Sequence, residues 1–495
     1  MISRSYKDAI SALNTLQTNS QVLRTISNSK EDLNKQSLSQ MVEWLHRIGY
    51  KIDDVNKLNV IHIAGTKGKG STCAFISSIL EQLRNQYKKS IRFGMYTSPH
   101  LVAVRERIRI NGIPISETLF AKYFFEVWDC LEKTAIERKL DPTIKPSYFR
   151  YLTLMSWHVF ISEKVDTLIM ETGIGGEYDS TNIIQHPTVT GITSLGIDHV
   201  PILGNTIEKI SWHKGGIFKK NVPALTVEQS IPALNVLKKR ASERKALFSV
   251  ITINPDLKKI KLGLSGDFQY INASLAFALV SYHLPYLNIP SLNSLYTVFD
   301  TIKTGLENAS WPGRCQLRKE DNISWYMDGA HTAESIKEAV IWYTNSIFLS
   351  NNSPRKFILI FNQQTRDAAV LLESLYNSII EKIGENPFYM VIFPTNVTWK
   401  DGTYDEDLVN INSDIKQIKS LKIQYNLRDY WIKLNGNNAL INVIDNIEDT
   451  VNLVRSQATL FDIDVCLKCH NFQESLSDEN HEKKNQLEAV SEIHD

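Results

Sequence analysis

The chain has little cysteine and lacks both a long apolar run and an apolar leader. Its five cysteines, spread over 495 residues, are too few and too scattered for a disulfide framework, which favours a reducing compartment. No apolar run approaches the roughly 18 residues of a membrane-spanning helix, and the polar N-terminal segment lacks the apolar core of a signal peptide. Basic residues near that end are too thinly spread to indicate a mitochondrial presequence. We therefore expect a cytoplasmic protein without a membrane span, with a mitochondrial location left open.

A strong charge of one sign is also missing. The 55 basic and 54 acidic residues give a formal net charge of +1 and are spread along the chain. This balance excludes the electrostatic footprint of a nucleic-acid-binding protein and that of a membrane-binding face. Small anionic ligands must instead be held by local sites.

Short apolar strand patterns alternate with helical patterns in two sets, the first between residues 58 and 226 and the second after residue 313. This alternation predicts the α/β fold class with mostly parallel sheets. The length exceeds what one hydrophobic core normally supports, so we expect more than one domain. The expected parts are a larger N-terminal domain over 1–306, a hinge over 307–316, a smaller Rossmann-like domain over 317–470 and a polar, disordered tail over 471–495.

The stretch HIAGTKGKGST, residues 62–72, lies between a strand pattern and a helix pattern. Its glycines leave backbone N–H groups free to converge on phosphate oxygens at a helix N-terminus. A lysine can then contact the outer phosphates, and a hydroxyl can reach a magnesium ion. The pattern predicts an ATP or GTP site, with an ordinary glycine-rich turn as the alternative. Gly70 stands where the usual phosphate loop has Ser or Thr.

Three further residues stand where metal or phosphate chemistry is expected. Glu171 ends an apolar run ahead of a glycine-rich turn, which suits a magnesium ligand or, alternatively, a capping residue. His199 follows another apolar run and can ligate a metal, although a lone histidine is more often a packing residue. Lys214 lies beside paired glycines and, on its own, is most simply a solvated cation.

The hinge and the second domain offer an arginine and a carboxylate. Arg314 falls in a turn-rich segment, where it can bind phosphate and respond to domain closure. Asp328 ends another strand pattern, and His331 follows closely. A surface ion pair is the alternative for the arginine and for the aspartate.

Taken together, the motifs of this chain resemble those of the folylpolyglutamate synthases, ATP-dependent ligases of the Mur ligase group, and most of all the fungal and animal members. The resemblance covers residues 58–465, and Gly70 after Lys69 is part of it. The motifs, in chain order, are GTKGKGST (65–72), TSPHL (97–101) with VRERIRING (104–112), ETGIGGEYDSTNII (171–184), GIDHVPILGNTIEKISWHKGGIFK (196–219), WPGRCQ (311–316), WYMDGAHT (325–332) and FNQQTRD (361–367).

The resemblance implies an N-terminal P-loop ATPase domain joined to a C-terminal Rossmann-like domain, with the active site in the cleft between them. It implies that ATP phosphorylates the γ-carboxyl of a reduced folate's glutamate tail. The amine of L-glutamate then attacks the acyl phosphate, and ADP and phosphate leave. The expected cofactors are ATP, Mg²⁺ at two sites and a monovalent cation such as K⁺, and the expected oligomeric state is a monomer.

Roles for individual residues also follow from the resemblance, and the TSPHLVAVRERIRING stretch is expected to shape part of the folate pocket. The implied roles are ATP-phosphate contacts for Gly68, Lys69, Gly70 and Ser71, magnesium ligation by Ser98, Glu171 and His199, a carbamylated catalytic lysine at Lys214, ATP contacts for Arg314 and Asp328, and a catalytic contact to glutamate or the acyl phosphate for His331.

Two other functions stay open. A dihydrofolate synthase would use the same fold and chemistry to add the first glutamate to dihydropteroate. A nucleotide-binding regulatory protein or inactive isoform would keep the phosphate loop without ligase chemistry.

The chain departs from the family near its end. The sequence TLFDIDVCLKCHNFQESLSDENH replaces the strand and helix that contain a V-T-G-S-L-x-L-V-G-like segment. We expect this departure to weaken the last C-terminal elements, and with them stability or glutamate binding. Restoring a family-like end is expected to raise thermal stability.

Overall fold

The computed structural model describes residues 4–17, 30–87, 91–289, 296–349, 355–364, 367–401, 406–408, 418–436 and 438–468. The chain forms two compact units and passes from the first to the second after Trp311, except that Ser265–Asp267 group with the second. The predicted domain and hinge limits stay predictions, and the predicted tail, 471–495, lies outside the described residues.

Eight strands form the sheet of the first unit: β1 (Val60–Ala64), β2 (Phe93–Tyr96), β3 (Ile108–Ile110), β4 (Ile113–Pro114), β5 (Thr167–Glu171), β6 (Val189–Ile192), β7 (Pro223–Val227) and β8 (Leu247–Ile251). Their order is β4-β3-β2-β5-β1-β6-β7-β8. The six neighbours β2-β5-β1-β6-β7-β8 pair in parallel. The strands β3 and β4 extend the β2 edge of the sheet and pair antiparallel.

Apolar side chains cover both faces of this sheet, as expected for parallel strands between helices. Alternate residues of β1 enter different cores: Ile61 and Ile63 pack with helix Lys69–Gln86, and Val60 packs with helix Tyr148–Ser162. The helices of this unit are Tyr6–Asn14, Lys30–Arg47, Ile52–Asn56, Lys69–Gln86, Glu117–Glu137, Tyr148–Ser162, Val200–Leu203, Ile207–Lys214, Ile231–Arg244, Gln269–His283 and Tyr296–Asn308.

Six strands form the sheet of the second unit: β9 (Gln316–Glu320), β10 (Ile323–Met327), β11 (Arg355–Phe361), β12 (Phe388–Pro394), β13 (Leu440–Ile444) and β14 (Asp462–Lys468). Their order is β13-β12-β11-β14-β10-β9, and only the edge strand β9 pairs antiparallel. The helices of this unit are Ala333–Leu349, Ala368–Ile383, Lys422–Asn435 and Ile447–Ala458.

The strand β14 lies inside the stretch that departs from the family pattern. It pairs in parallel with both β10 and β11, so it occupies the middle of the sheet. The buried carboxylate of Asp464 is paired there with Arg355 at 2.7 Å. The divergent sequence therefore still supplies a central strand. The expected loss of stability or of glutamate binding stays a prediction. The residues after Lys468 lie outside the described part of the chain.

The α/β fold class with two mostly parallel sheets is thus confirmed. In the ranges that the structure describes, no helix is long and apolar enough to cross a membrane. The parallel registers bring three strand ends to one edge of the first sheet, since Ile63 lies beside Glu171 and Ala64 lies beside Ile192. Ligands of open α/β sheets bind at such an edge.

Candidate active site

The loop between β1 and helix Lys69–Gln86 is tied to the chain that follows β6. The N–H groups of Thr66 and Lys67 both donate to the carbonyl of Ser194 at 3.0 Å. Gly68 then takes the left-handed conformation, with φ of 86°, and a Cβ atom there would lie 2.2 Å from Asn272 Oδ1. Only glycine therefore fits at this turn without displacing Asn272.

The first turn of this helix is prepared for an anion. It contains no acidic side chain, and Gly68 provides no side-chain cap, so its N–H groups are not satisfied by a local carboxylate or hydroxyl. The buried hydroxyl of Ser71 accepts a hydrogen bond from Gln269 Nε2 at 3.3 Å. A Cβ atom on Gly70 would lie 3.2 Å from Trp311 Nε1, so the indole closely approaches this glycine.

Glu171 joins two of the predicted residues. Its carboxylate is almost fully buried at the end of β5, with Oε1 3.7 Å from the ammonium of Lys69. Oε2 accepts the backbone N–H of Ser98 at 3.2 Å. The structure thus brings the phosphate-loop lysine, the strand-end carboxylate and the TSPHL segment together.

Lys214 is buried, which excludes the solvated-cation interpretation. Its ammonium donates to the carbonyl of Gly65, at the start of the phosphate loop, at 2.7 Å. Burial and, to a smaller extent, repulsion from Lys69 lower the pKa of Lys214 to about 7, although Asp198 and nearby carboxylates oppose the shift. A substantial fraction of this amine is therefore neutral and nucleophilic near pH 7.

His199 is placed differently from the other predicted metal ligands. It is exposed, has a φ of 51°, and its backbone N–H donates to Asp198 Oδ1 at 2.9 Å. Within the described ranges, no group of three or more His, Cys, Asp or Glu side chains is arranged to hold a metal ion. Glu171 and the adjacent Ser98 nevertheless offer the hard oxygen donors that Mg²⁺ prefers.

Sequence reasoning missed Asp179, which shapes the glycine-rich turn after Glu171. This buried carboxylate accepts the N–H and hydroxyl of Thr181 at 3.0 and 2.7 Å and the N–H of Ile174 at 2.9 Å. Thr181 Oγ1 lies 2.9 Å from Nε2 of the buried His62. Burial raises the pKa of Asp179, and these hydrogen bonds oppose the rise. Asp179 lies in the same motif as Glu171, ETGIGGEYDSTNII, so membership of that motif could have indicated that Asp179 contributes to the site.

In the second unit, Asp328 is held by backbone N–H groups from its own loop and from the segment before β9. Its carboxylate accepts the N–H of Cys315 and the N–H of Ala330, both at 2.8 Å. Burial raises the pKa of Asp328, while the nearby charge of Arg314 and the two N–H donors oppose the rise. The structure therefore brings two of the predicted ATP contacts, the arginine and the aspartate, near one another.

His331 is oriented by two local hydrogen bonds. Its Nδ1 lies 3.0 Å from the carbonyl oxygen of Gly329, and its backbone N–H donates to Ser335 Oγ at 3.2 Å. Because a carbonyl only accepts, Nδ1 carries the proton of the neutral ring. This orientation defines which ring nitrogen is the donor.

Comparisons with known proteins agree with this fold. Residues 314–460 match the family model described as dihydrofolate synthetase, C-terminal domain. A folylpolyglutamate synthase of Saccharomyces cerevisiae (strain FostersO) is 47% identical over 473 residues, which cover 93% of this chain and 84% of that protein.

Two solved structures share the fold. The Mycobacterium tuberculosis folylpolyglutamate synthase complexed with ADP has a TM-score of 0.67 at 21% identity, over 95% of this chain and 98% of that one. The E. coli protein described as FolC in complex with DHPP and ADP has a TM-score of 0.68 at 21% identity, over 97% and 99%.

The fold defines the class, a two-unit α/β protein with a glycine-rich loop after the first strand of its larger sheet. The yeast relative then shows the particular family, because its identity is high and extends over most of both chains. The chain belongs to the folylpolyglutamate synthase family and is a ligase of that type.

Proposed function

We propose that this chain uses ATP to activate the γ-carboxyl of a reduced folate's glutamate tail and joins L-glutamate to it, with release of ADP and phosphate. The observation that carries the proposal is the group formed by Lys69, Glu171 and Lys214 around one glycine-rich loop. The ADP complexes of the mycobacterial and E. coli proteins support nucleotide binding by this fold.

The chemistry explains why cations surround this loop. A carboxylate does not react with an amine until one oxygen becomes a leaving group, and a phosphoryl group supplies one. Lys67 and Lys69 lie 3.8 and 3.7 Å from single carboxylates, those of Asp198 and Glu171. Open N–H groups and ammonium ions of this kind stabilise the charge that develops on a transferring phosphoryl group.

Magnesium fits the same edge of the sheet in this proposal. Glu171, Ser98 and His199 would hold it, and it would neutralise charge on the phosphoryl oxygens when bound. A buried carboxylate is stabilised by a nearby cation, and Lys69 lies 3.7 Å from Glu171. Magnesium would be a second cation beside the same carboxylate. A second magnesium ion and a monovalent cation such as K⁺ belong to the same proposal.

We also propose that Lys214 reacts with CO2. The neutral amine attacks the carbon atom of CO2, a proton leaves, and the lysine becomes a carbamate with a negative charge. Burial and the pKa of about 7 favour the neutral amine that this step needs. The product is a carboxylate on a long arm, which can neutralise cations that a free ammonium would repel.

In the second unit we propose that Arg314 and Asp328 contact ATP and that His331 contacts glutamate or the acyl phosphate. Asp328 and His331 each have a defined orientation because loop N–H and carbonyl groups hold them. We also propose that the protein binds L-glutamate.

We propose a cytoplasmic location, shared in part with mitochondria. Cell fractionation tests the location.

A second candidate is dihydrofolate synthase, favoured by the description of the family model that matches residues 314–460. The test compares tetrahydrofolate with dihydropteroate as glutamate acceptor, measured as glutamate-dependent ADP release. We expect turnover with tetrahydrofolate and a large loss of it in Glu171→Gln. Turnover with dihydropteroate alone would establish the second candidate instead.

A further inference from the structure

A groove of about 700 Å³ opens in the first unit beside elements that carry site residues. Residues of helices Val200–Leu203, Ile207–Lys214 and Ile231–Arg244 line it. The first of these helices directly follows His199, and the second ends at Lys214. A volume of this size can hold an organic molecule of roughly drug size, and no step proposed above uses it.

Two aromatic side chains form part of the lining. The rings of Tyr178 and Trp212 lie 6.2 Å apart, and His213 lies 5.8 Å from the tyrosine ring. The guanidinium carbon of Arg240 lies 4.5 Å from the Trp212 ring. Aromatic walls of this kind accept planar rings.

Unpaired charge gives the groove a preference for anions. Lys209 and Lys239 line it, are exposed, and have no carboxylate partner within the described parts of the chain. The charge of Arg240 is already balanced by carboxylates, among them Glu243 at 3.0 Å. Glu208 also lines the groove without a cation partner in those parts. Two free ammonium groups therefore face one free carboxylate.

The proposed reaction creates a ligand that matches this lining. Each turn adds a glutamate, and the new terminal γ-carboxyl must return to the position beside Lys69 and Lys214. The earlier glutamates and the aromatic head of the folate must then extend away from that position. The extended part carries a carboxylate on each glutamate and ends in planar rings, so it is complementary to ammonium groups and an aromatic wall.

We propose that this groove binds the γ-glutamyl chain and aromatic head of a folate that already carries several glutamates. Lys209 and Lys239 contact carboxylates of the chain, while Tyr178 and Trp212 contact the planar rings. The inference rests on the proposed function. It concerns the part of a polyglutamylated folate that extends away from the reacting γ-carboxyl.

The test compares tetrahydrofolate monoglutamate with its pentaglutamate as acceptors for the double variant Lys209→Gln/Lys239→Gln. Since exposed charge pairs are weak, the KM for the pentaglutamate should rise about two- to twentyfold, with kcat and the KM for the monoglutamate unchanged. Glu208→Gln should change the pentaglutamate KM in the opposite direction. Lys238→Gln is the matched control, because this exposed lysine lies on the same helix outside the groove lining.

Equal effects on both acceptors, or no effect on either, would overturn the assignment of the groove to the grown chain. Equilibrium binding of the two folates, followed by protein fluorescence, keeps this test independent of turnover. The wild type should bind the pentaglutamate more tightly than the monoglutamate, and the double variant should lose most of that difference. Absence of turnover with every folate would contradict the proposed function, whereas equal binding of both folates would contradict the groove.

Discussion

The two units place a carboxylate at the end of a parallel strand, but they satisfy it in opposite ways. Glu171 follows β5 and has the ammonium of Lys69 at 3.7 Å. Asp328 follows β10 and is held by the N–H groups of Cys315 and Ala330 at 2.8 Å. The first carboxylate faces a lysine side chain and one backbone N–H, that of Ser98, whereas the second is held by two backbone N–H groups.

This difference predicts that substitutions at the two sites have different effects on activity and stability. Removal of the Lys69 ammonium should reduce catalysis with little effect on the fold, because its contact with Glu171 is an ion pair between side chains at 3.7 Å. Changes at Asp328 should also destabilise its loop, because two backbone donors lose their acceptor. Activity and stability must therefore be measured together.

The largest effect is expected for Lys69→Ala. Removal of one cation that stabilises the transferring phosphoryl group should lower kcat about 10²- to 10³-fold, with little change in melting temperature. Steady-state ADP release and thermal unfolding measure the two quantities. Lys57→Ala removes an exposed lysine paired with Asp54 and should leave both unchanged. A variant with normal kcat would remove Lys69 from the proposed site.

Lys214→Ala should lower kcat about 10²-fold, since it removes the group that we propose to be carbamylated. Incubation of the wild type with ¹³C-labelled bicarbonate should give a carbamate carbon signal in the NMR spectrum. That signal should be missing in the variant, and short carboxylic acids should restore part of its activity. A wild type without the signal, and with full activity after CO2 is removed, would contradict carbamylation.

Asp328→Ala should destabilise the second unit by about 1–3 kcal/mol, because buried donors lose their acceptor. Cys315→Ala is the matched control, since it keeps the backbone N–H that donates to Asp328 and removes only the thiol. Hydrogen exchange resolved by unit measures the change. Equal protection in both variants would show that the carboxylate does not stabilise the loop.

A smaller effect comes from pH. Burial lowers the pKa of His62 and of His283 to about 3, so the folded first unit holds both rings neutral. Their stabilising effect is complete above the ordinary histidine pKa and is lost as pH falls from there towards 3. The loss is up to about 1.4 kcal/mol per pH unit for each histidine.

Hydrogen exchange at pH 7 and pH 5 tests this asymmetry. The first unit should lose more protection than the second, whose described residues include one histidine, the partly buried His331. His62→Gln should reduce the pH dependence of the first unit. An equal loss in both units would assign the effect to other groups.

The sequence predicts those features that local patterns carry. The runs that became β1, β5 and β10 are apolar, and they lead to a glycine-rich loop, to Glu171 and to Asp328, so both the strands and the candidate residues at their ends could be recognised. The strand β14 was missed because Asp462 and Asp464 interrupt its apolar pattern, and only the fold shows Arg355 compensating one of them.

Long-range neighbours of the phosphate loop could not be predicted from local patterns. Asn272 and Gln269 approach Gly68 and Ser71 from about 200 residues further along the chain. The burial of Lys214 likewise could not be predicted from the sequence, because its sequence neighbours are equally compatible with an exposed turn. Its contact with the carbonyl of Gly65 depends on two distant elements meeting.

The proposed ligase activity is tested by glutamate-dependent ADP release with tetrahydrofolate, measured for folded, magnesium-saturated wild type and for Glu171→Gln. We expect ADP release by the wild type only when both tetrahydrofolate and glutamate are present, with formation of a folate one glutamate longer. We expect a large loss of that release in the folded Glu171→Gln variant. No turnover by the wild type, or turnover that does not require glutamate, would contradict the proposed ligase activity.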